Sequence, residues 1–167
     1  MSTYNPNNIN YFWQPKKTSV YGCFSNWWYC EFKDSKGFLY QNTEQYMMAK
    51  KAELFDDKIT HEQIMSNPNP KTCKNLGRRV KGFNNSIWDK NKYQIVLEGC
   101  FLKFSQNQFL REKLLSTGSK ILVEASPYDK IWGIGLTEEQ ARQTNPSLWP
   151  GQNLLGQCLM EVRSRLL

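Results

Sequence analysis

The chain has 167 residues, with 22 lysines and arginines against 15 acidic residues and a formal charge of +7 when its one histidine is neutral. Nine Phe, eight Tyr and six Trp supply large apolar anchors, and this composition excludes a disordered, solvating chain. The length predicts one domain. No stretch approaches the roughly 20 apolar residues of a membrane span, and the polar start lacks the pattern of a signal peptide. We therefore expect a soluble, cytoplasmic protein with no membrane association and no protein partner identifiable from the sequence.

The five cysteines form no C-x-x-C pair, and their odd number leaves one unpaired under any disulfide scheme. We expect reduced thiols that pack in the core. With a single histidine and no clustered thiols, a metal site is not expected, and no cofactor is predicted. The positive charge favours a polyanionic partner or an anionic substrate, although many basic proteins bind neither.

The first part of the chain is predicted to hold a few short strands. Residues 1–19, rich in Asn and aromatic residues, are predicted to form an arm over a domain that spans 20–167. The aromatic and β-branched run at 20–32 is broken by turn formers, which indicates two short strands or a strand and a loop. Another short strand is predicted at 38–40.

Helical patterns dominate the rest of the chain. We predict a buried strand at 121–125 and helices over 43–54, 60–65, 70–77, 86–104, 107–116 and 153–166. Asn42 or Thr43 is predicted to cap the first helix, Thr60 the second, and Asn69 the third, with Pro70 at its first position. Mostly helices with a few short strands predict an α+β fold, as a helix-rich single domain.

One face of the helix over 43–54 carries an acid and an amine. Each helical residue turns about 100°, so Lys51, seven positions after Glu44, returns to within roughly 20° of the same face. An acid and an amine facing one cleft could bracket a small reacting group such as a ribose. Equally, Glu44 could complement the helix dipole while Lys51 is a plain surface residue. Lys50 points off this face and is expected to be solvated.

A cationic stretch follows at 71–81, with five cations in eleven residues and no acid. Lys71, Lys74 and Arg78 share a helical face and could hold phosphates, although such a stripe is usually a solvated surface. The loop at 126–135 carries Asp129 and two glycines that permit a close backbone approach, or it is a turn with a packed Trp. Asn153 at a helix start is either a cap or a ligand contact.

Taken in order, these segments resemble the NADAR family, also called YbiA-like proteins. The resemblance covers about residues 21–167. Its blocks are Phe24-Ser25-Asn26, Tyr40, Thr43-Glu44, Lys51-Ala52, Gly77-Arg78, Trp88, 102–107, 114–118, 122–126, Asp129, 132–135 and 151–156. So many blocks in one order are hard to obtain by chance.

The resemblance implies an N-glycosidase, a hydrolase that cleaves the bond between C1′ of a ribose and a nitrogen. Members of the family act on ADP-ribosylated guanine in nucleic acid or on phosphoribosyl-aminopyrimidine intermediates of riboflavin synthesis. Carried over position by position, the resemblance implies Glu44, Lys51 and Asp129 as catalytic residues. The substrate-binding residues that it implies are Asn26, Arg78, Trp88, Trp132, Gly133 and Asn153.

Two questions stay open at this point. Many members have His where this chain has Gln45, and Gln can hydrogen-bond but cannot shuttle a proton, so either that His is not essential or activity is reduced. The resemblance also implies a Schiff base between Lys51 and the opened ribose, which needs a neutral amine. Burial and Arg78 would lower the pKa of Lys51 and Glu44 would raise it, and the sequence does not decide between them.

Three functional hypotheses follow. The first is hydrolysis of ADP-ribosylated guanine in nucleic acid, which the positive charge favours slightly. The second is cleavage of a small phosphoribosylamino-pyrimidine substrate. The third, allowed by Gln45, is a noncatalytic ADP-ribose binding module.

Overall fold

Helices and short strands make up the part of the chain that the computed structural model describes, residues 5–167. In chain order the elements are β1 (Ile9–Phe12), β2 (Phe32–Lys33), β3 (Leu39–Tyr40), α1 (Thr43–Leu54), α2 (Lys58–Met65), α3 (Pro70–Gly77), α4 (Asn85–Gln106), α5 (Gln108–Leu115), β4 (Ile121–Glu124), α6 (Glu138–Arg142) and α7 (Leu154–Arg165). The prediction of a helix-rich α+β fold with a few short strands is confirmed. The first four residues of the predicted arm lie outside the described residues.

The described residues form two compact units. The central unit spans Asn26–Gln108. The terminal unit combines the described residues up to Ser25 with Phe109–Leu167.

Helix α1 is the centre of the central unit, because α2, α3 and α4 all pack against it. The buried Tyr46 ring lies 4.9 Å from the Tyr40 ring and 5.9 Å from the Phe32 ring, centroid to centroid. This aromatic cluster joins α1 to the antiparallel pair of β2 and β3. Aromatic contacts of this kind add about 0.5–1.5 kcal/mol to the burial of the rings. The packing fixes the rotation of α1 about its own axis, and therefore the direction in which its remaining side chains project.

Asparagine caps begin α1 and α3, as the sequence predicts. The Asn42 Oδ1 accepts from the Gln45 backbone N–H at 2.8 Å, and Asn69 caps α3 with Pro70 at the first helical position. Such caps satisfy backbone donors that no helical carbonyl reaches. Both helix starts are therefore set by local sequence.

The prediction that Thr60 caps the second helix is wrong. Helix α2 begins earlier, and the Asp57 carboxylate caps it by accepting from both the N–H and the hydroxyl of Thr60, at 3.1 and 2.7 Å. The same carboxylate accepts from the Lys81 N–H at 2.8 Å. Asp57 thus ties the start of α2 to the segment after α3, and these backbone hydrogen bonds lower the pKa of its carboxyl.

Strand β1 belongs to the terminal unit and pairs in parallel with β4, with Ile9 opposite Ile121 and Phe12 opposite Glu124. No strand was expected within 1–19, because four residues carry little signal when their partner lies so far along the chain. The buried cluster around the pair comprises Ile9, Tyr11, Val123, Ala125, Ile134 and Ala141. The boundary at residue 20 between arm and domain stays a prediction.

Other local predictions differ from the structure. Within 20–32 the chain forms a single 3₁₀ turn at Gly22–Phe24 and reaches strand geometry only at β2. Helix α6 was not predicted, although its start carries a capping box in which Thr137 and Gln140 bond each other's backbone N–H.

All five cysteines are buried, as expected of packing thiols. Among residues 5–167, no helix combines the length and apolar character needed to cross a bilayer.

Gly99 tests the packing of α4 on α1. A Cβ at this position would lie 2.5 Å from the Cδ1 of the buried Tyr46 ring. We expect Gly99→Ala to lower the free energy of unfolding by about 1–3 kcal/mol, the usual cost of overpacking, although Ala favours helices. Urea unfolding measures the effect. Gln94→Ala at an exposed position of the same helix is the control, expected within about 0.5 kcal/mol of the parent chain. Unchanged or increased stability of Gly99→Ala would contradict the packing described.

Candidate active site

Glu44 and Lys51 lie in the central unit, on the shared face of α1 that their spacing predicts. Glu44 is 5% exposed, and Lys51 is partly buried two turns later. Their charges act on each other, since Glu44 is among the groups that shift the pKa of Lys51. An acid and an amine therefore face one region of the central unit.

The start of α1 is anchored by residues outside the helix. The backbone N–H of Glu44 donates to the Asn26 carbonyl at 3.0 Å. Asn26 is itself buried, with its side-chain oxygen 4.0 Å from the Cys100 sulfur on α4. Asn42 adds a bond from its Nδ2 to the Pro68 carbonyl at 2.8 Å. These bonds hold the Glu44 backbone in place, and they give Asn26 a positioning role within the protein.

Two aromatic rings face the Lys51 amine. Its Nζ lies 4.5 Å from the centroid of the Phe83 ring and 5.4 Å from that of Trp88. Both distances are within the range of a cation–π interaction, which favours the charged form of the amine. The sequence predicted Trp88 as a site residue and did not predict Phe83.

Burial nevertheless lowers the pKa of the Lys51 amine below its ordinary value. Loss of hydration is the largest cause, since it disfavours the ammonium form. The positive charge of Arg78 acts in the same direction, and the Glu44 carboxylate opposes both. The balance that the sequence left open is thus settled in favour of a more easily deprotonated amine.

A buried thiol lies in the same region. Cys73 on α3 is fully buried, and burial together with the nearby Glu44 charge raises its pKa to about 12. The Cys73 Sγ donates to the Asn67 carbonyl at 3.2 Å. Because a nucleophilic cysteine must ionise, this thiol is a packing group and not a nucleophile.

The Gln45 side chain is hydrogen-bonded to backbone groups. Its side-chain oxygen accepts from the Gln41 N–H at 2.8 Å, while its Nε2 donates to the carbonyls of Ile64 and Asn67 at 3.0 and 3.1 Å. Gln45 is 2% exposed. It therefore anchors α1 to the segment between α2 and α3.

Arg78 lies at the end of α3 with an exposed side chain, close enough for its charge to act on Lys51. It belongs to a strongly basic segment, since residues 71–92 contain seven lysines and arginines and one acid, Asp89. The same segment supplies Phe83 and Trp88. The segment thus brings the Arg78 charge, the exposed Phe83 ring and the half-buried Trp88 ring to the neighbourhood of the Lys51 amine.

Lys50 is not simply solvated, which corrects the sequence-based expectation. Its ammonium pairs with Glu53 at 3.1 Å and with Asp34 at 3.7 Å. It also lines a pocket of about 290 Å³ together with Phe38, Tyr40 and the first turn of α2. The lining of this pocket includes none of the predicted site residues.

The remaining predicted residues belong to the terminal unit. The Asp129 Oδ1 accepts from the backbone N–H groups of Ile131 and Trp132, both at 2.9 Å. This arrangement makes Asp129 the organiser of its own loop. Trp132 is partly exposed in that loop.

Gly133 and Asn153 hold the terminal unit's backbone together. A Cβ at Gly133 would lie 2.9 Å from the Glu124 carbonyl, so the close backbone approach predicted for a ligand is made by the protein itself. Asn153 precedes α7 in the left-handed region and forms no side-chain cap. Its side chain accepts from the Glu124 N–H and donates to the Leu122 carbonyl, both at 3.0 Å, and so bridges to β4. The reading of Asn153 as a cap is wrong, and the roles of Asp129, Trp132, Gly133 and Asn153 toward a ligand stay predictions.

Phe83 is the residue near Lys51 that sequence reasoning missed. It lies in an irregular segment, where neither helical nor strand periodicity predicts a neighbour. The available signal was a single aromatic residue between a cationic stretch and the Asn84 cap of α4.

Comparison with known proteins gives a consistent picture. The NADAR domain family model matches residues 11–167. The N-glycosidase R617 of Acanthamoeba polyphaga mimivirus is 52% identical over 144 residues, which cover 84% of this chain and 85% of that protein. The chloroplastic riboflavin biosynthesis protein PYRR of Zea mays is 31% identical over 178 residues, covering all of this chain but 26% of the maize protein.

A solved structure shares the fold. The NMR structure of the E. coli protein YbiA superposes with a TM-score of 0.76 at 29% sequence identity, covering 95% of this chain and 84% of that one. The family model, the relatives and the fold agree: the chain belongs to the NADAR family of N-glycosidases, hydrolases that act on N-glycosyl bonds.

Proposed function

We propose that this N-glycosidase hydrolyses the bond between ribose C1′ and the base in ADP-ribosylated guanine of nucleic acid. The observation that carries the proposal is the Lys51 amine, whose pKa is lowered and which lies beside a buried carboxylate and two aromatic rings. Neither a disulfide nor a metal is invoked, because a neutral amine and a carboxylate suffice for the chemistry proposed.

The basic segment at 71–92 supports a nucleic-acid substrate. Its exposed cations can contact phosphates, whereas Lys92 pairs with Asp89 at 2.8 Å. Arg78 can bind a diphosphate through two parallel hydrogen bonds.

The segment also carries the exposed Phe83 ring and the half-buried Trp88 ring, and aromatic rings beside cations are typical of surfaces on which bases stack. Because Lys51 lies beside this segment, a nucleic acid bound there would have its modified base close to the Lys51 amine.

In the proposed first step, the neutral Lys51 Nζ attacks C1′. A bond forms from Nζ to C1′, the bond from C1′ to the base nitrogen breaks, and the base leaves with the proton that Nζ gives up. Positive charge builds on the ribose as the bond breaks, so a fixed carboxylate at Glu44 stabilises the transition state.

In the second step the ribose opens. The C1′–O4′ bond breaks, O4′ takes the remaining Nζ proton, and C1′ and Nζ form a Schiff base. Water then adds to C1′ and expels the Lys51 amine, which leaves the free sugar and regenerates the enzyme. Glu44 is suited to accept and return protons of the ribose hydroxyls and of this water.

A second candidate substrate is a phosphoribosylamino-pyrimidine of riboflavin synthesis. The maize relative, a riboflavin biosynthesis protein, favours it, although this chain spans about a quarter of that protein. The bond cleaved and the role of Lys51 would be the same. The two candidates differ in whether the basic segment contacts a polymer.

We expect the chain to release ADP-ribose from a guanine-modified DNA oligonucleotide faster than it cleaves the pyrimidine phosphate. Chromatography of both reactions measures the rates.

Glu44→Gln should reduce turnover by about 10²–10⁴-fold, as loss of a general acid–base group does. Faster cleavage of the pyrimidine phosphate would favour the second substrate. Binding without turnover by the parent chain would instead indicate a noncatalytic module.

The Schiff base predicts a trapped adduct at one lysine. Borohydride added during turnover should reduce the imine and leave the sugar on Lys51, as peptide mass spectrometry would show. Lys51→Arg should abolish both the adduct and turnover, because a guanidinium stays charged. Lys50→Arg, on the neighbouring face of α1, is the matched control and should retain both. An adduct on another lysine would contradict the mechanism.

The charges around Lys51 predict opposite pH shifts in two variants. Glu44→Gln removes the charge that raises the pKa of Lys51, so the pH at which the amine becomes reactive should fall. Arg78→Ala removes a charge that lowers this pKa, so the midpoint should rise. Amine modification of Lys51 across pH, read by mass spectrometry, measures both. Shifts in the same direction would refute the electrostatic arrangement.

A further inference from the structure

We infer that Phe83 is a positioning residue that acts through Lys51: its ring faces the Lys51 amine and favours the ammonium form, and so limits the loss of the proton that the proposed reaction requires. The inference rests on the proposed role of Lys51 as nucleophile. It concerns a residue in an irregular segment that contributes no acid, base or nucleophile of its own.

The segment that carries Phe83 is fixed at both ends. Before it, the Lys81 N–H donates to the Asp57 carboxylate at 2.8 Å. After it, the Asn84 Oδ1 accepts from the Ile87 N–H at 3.0 Å and caps α4. Between them Gly82 has a φ of +73°, a conformation that side chains other than glycine rarely adopt. The chain therefore turns at Gly82 and delivers Phe83 to a defined place.

A second ring supports Phe83 from the end of α1. The Phe55 and Phe83 centroids lie 5.4 Å apart with an interplanar angle of 64°, an edge-to-face contact. Phe83 is still 44% exposed. One side of it contacts Phe55 and Lys51, and the rest remains open to solvent or to a ligand.

Phe83 acts on Lys51 in two opposing ways. As an apolar body it removes water from the amine, which favours the neutral form. As a π system it attracts the ammonium at 4.5 Å, which favours the charged form. The charged groups that act on the same amine are Glu44 from α1 and Arg78 from the end of α3, and Trp88 from α4 adds a second ring.

Because these two effects have opposite signs, substitutions can separate them. Leucine keeps an apolar body and removes the π system, so the midpoint for Lys51 modification should fall by about half a pH unit, the shift expected of one cation–π contact. Alanine removes both, so its midpoint should lie above that of Phe83→Leu. Tyrosine keeps the ring and should restore the parent midpoint.

The experiment measures reductive methylation of Lys51 against pH in the full chain without substrate, read by peptide mass spectrometry. Lys50 is the internal control, and its profile should be the same in every variant. Phe109→Leu makes the same exchange at a ring that is 68% exposed in the other unit and should leave Lys51 unchanged. Thermal unfolding verifies that each variant is folded.

A Phe83→Leu midpoint equal to or above the parent value would overturn the inference, as would a Phe83→Ala midpoint at or below that of leucine. Since labelling needs no turnover, the result is independent of the substrate. If the Lys51 midpoints shift in the order described but the parent chain is inert toward both substrates, the proposed function is wrong and the role of Phe83 toward Lys51 still holds.

Discussion

The chemistry proposed for the central unit depends on how the Lys51 amine is hydrated. Lys51 is carried by the most heavily packed helix of the unit, and burial of its amine is the largest influence on its pKa. An amine in water at neutral pH is almost wholly protonated and cannot attack carbon. Partial burial shifts this balance toward the neutral amine, because desolvation costs the charged form more than the neutral one. Glu44 limits the effect, so that the amine stays attracted to the carboxylate with which it shares a face.

Gln45, next to Glu44 in the chain, uses its side chain to hold the fold together. Its amide makes three hydrogen bonds to backbone groups, one as acceptor and two as donor. A neutral histidine has one donor and one acceptor and could not replace all three. At this position the chain therefore holds an anchor for α1 where the family resemblance led us to look for a proton carrier. The proton transfers of the proposed reaction must then be carried out by Glu44, by Lys51 itself and by water.

Local signals in the sequence predicted the helix starts that depend on local bonds. Asn42 and Asn69 cap their helices through side-chain bonds to the N–H three residues later. Asn69 was predicted as the cap of α3, and Asn42 was one of the two residues predicted for α1. The cap of α2 was predicted wrongly as Thr60. The true cap, Asp57, accepts three hydrogen bonds, and one of them comes from Lys81, 24 residues away along the chain. Strand β1 escaped notice for the same reason, since its partner begins at Ile121. Asn153 was placed correctly at the start of α7, but its side chain bonds β4 and not the helix.

In the candidate site, too, local sequence predicted some features, and contacts between distant residues determine the others. Helical periodicity alone brought Glu44 and Lys51 to one face. It could not give the sign of the pKa shift of Lys51, because that sign depends on burial, on Arg78 and on rings delivered by an irregular segment. Residue spacing identifies which side chains can lie close together. The protonation state of a buried group depends on its loss of hydration and on all the charges and hydrogen bonds around it. A lysine on a predicted helix face is thus a candidate nucleophile only once the groups around it are known. Here burial favours the neutral amine, whereas the Phe83 ring in the loop after Gly82 favours the ammonium form.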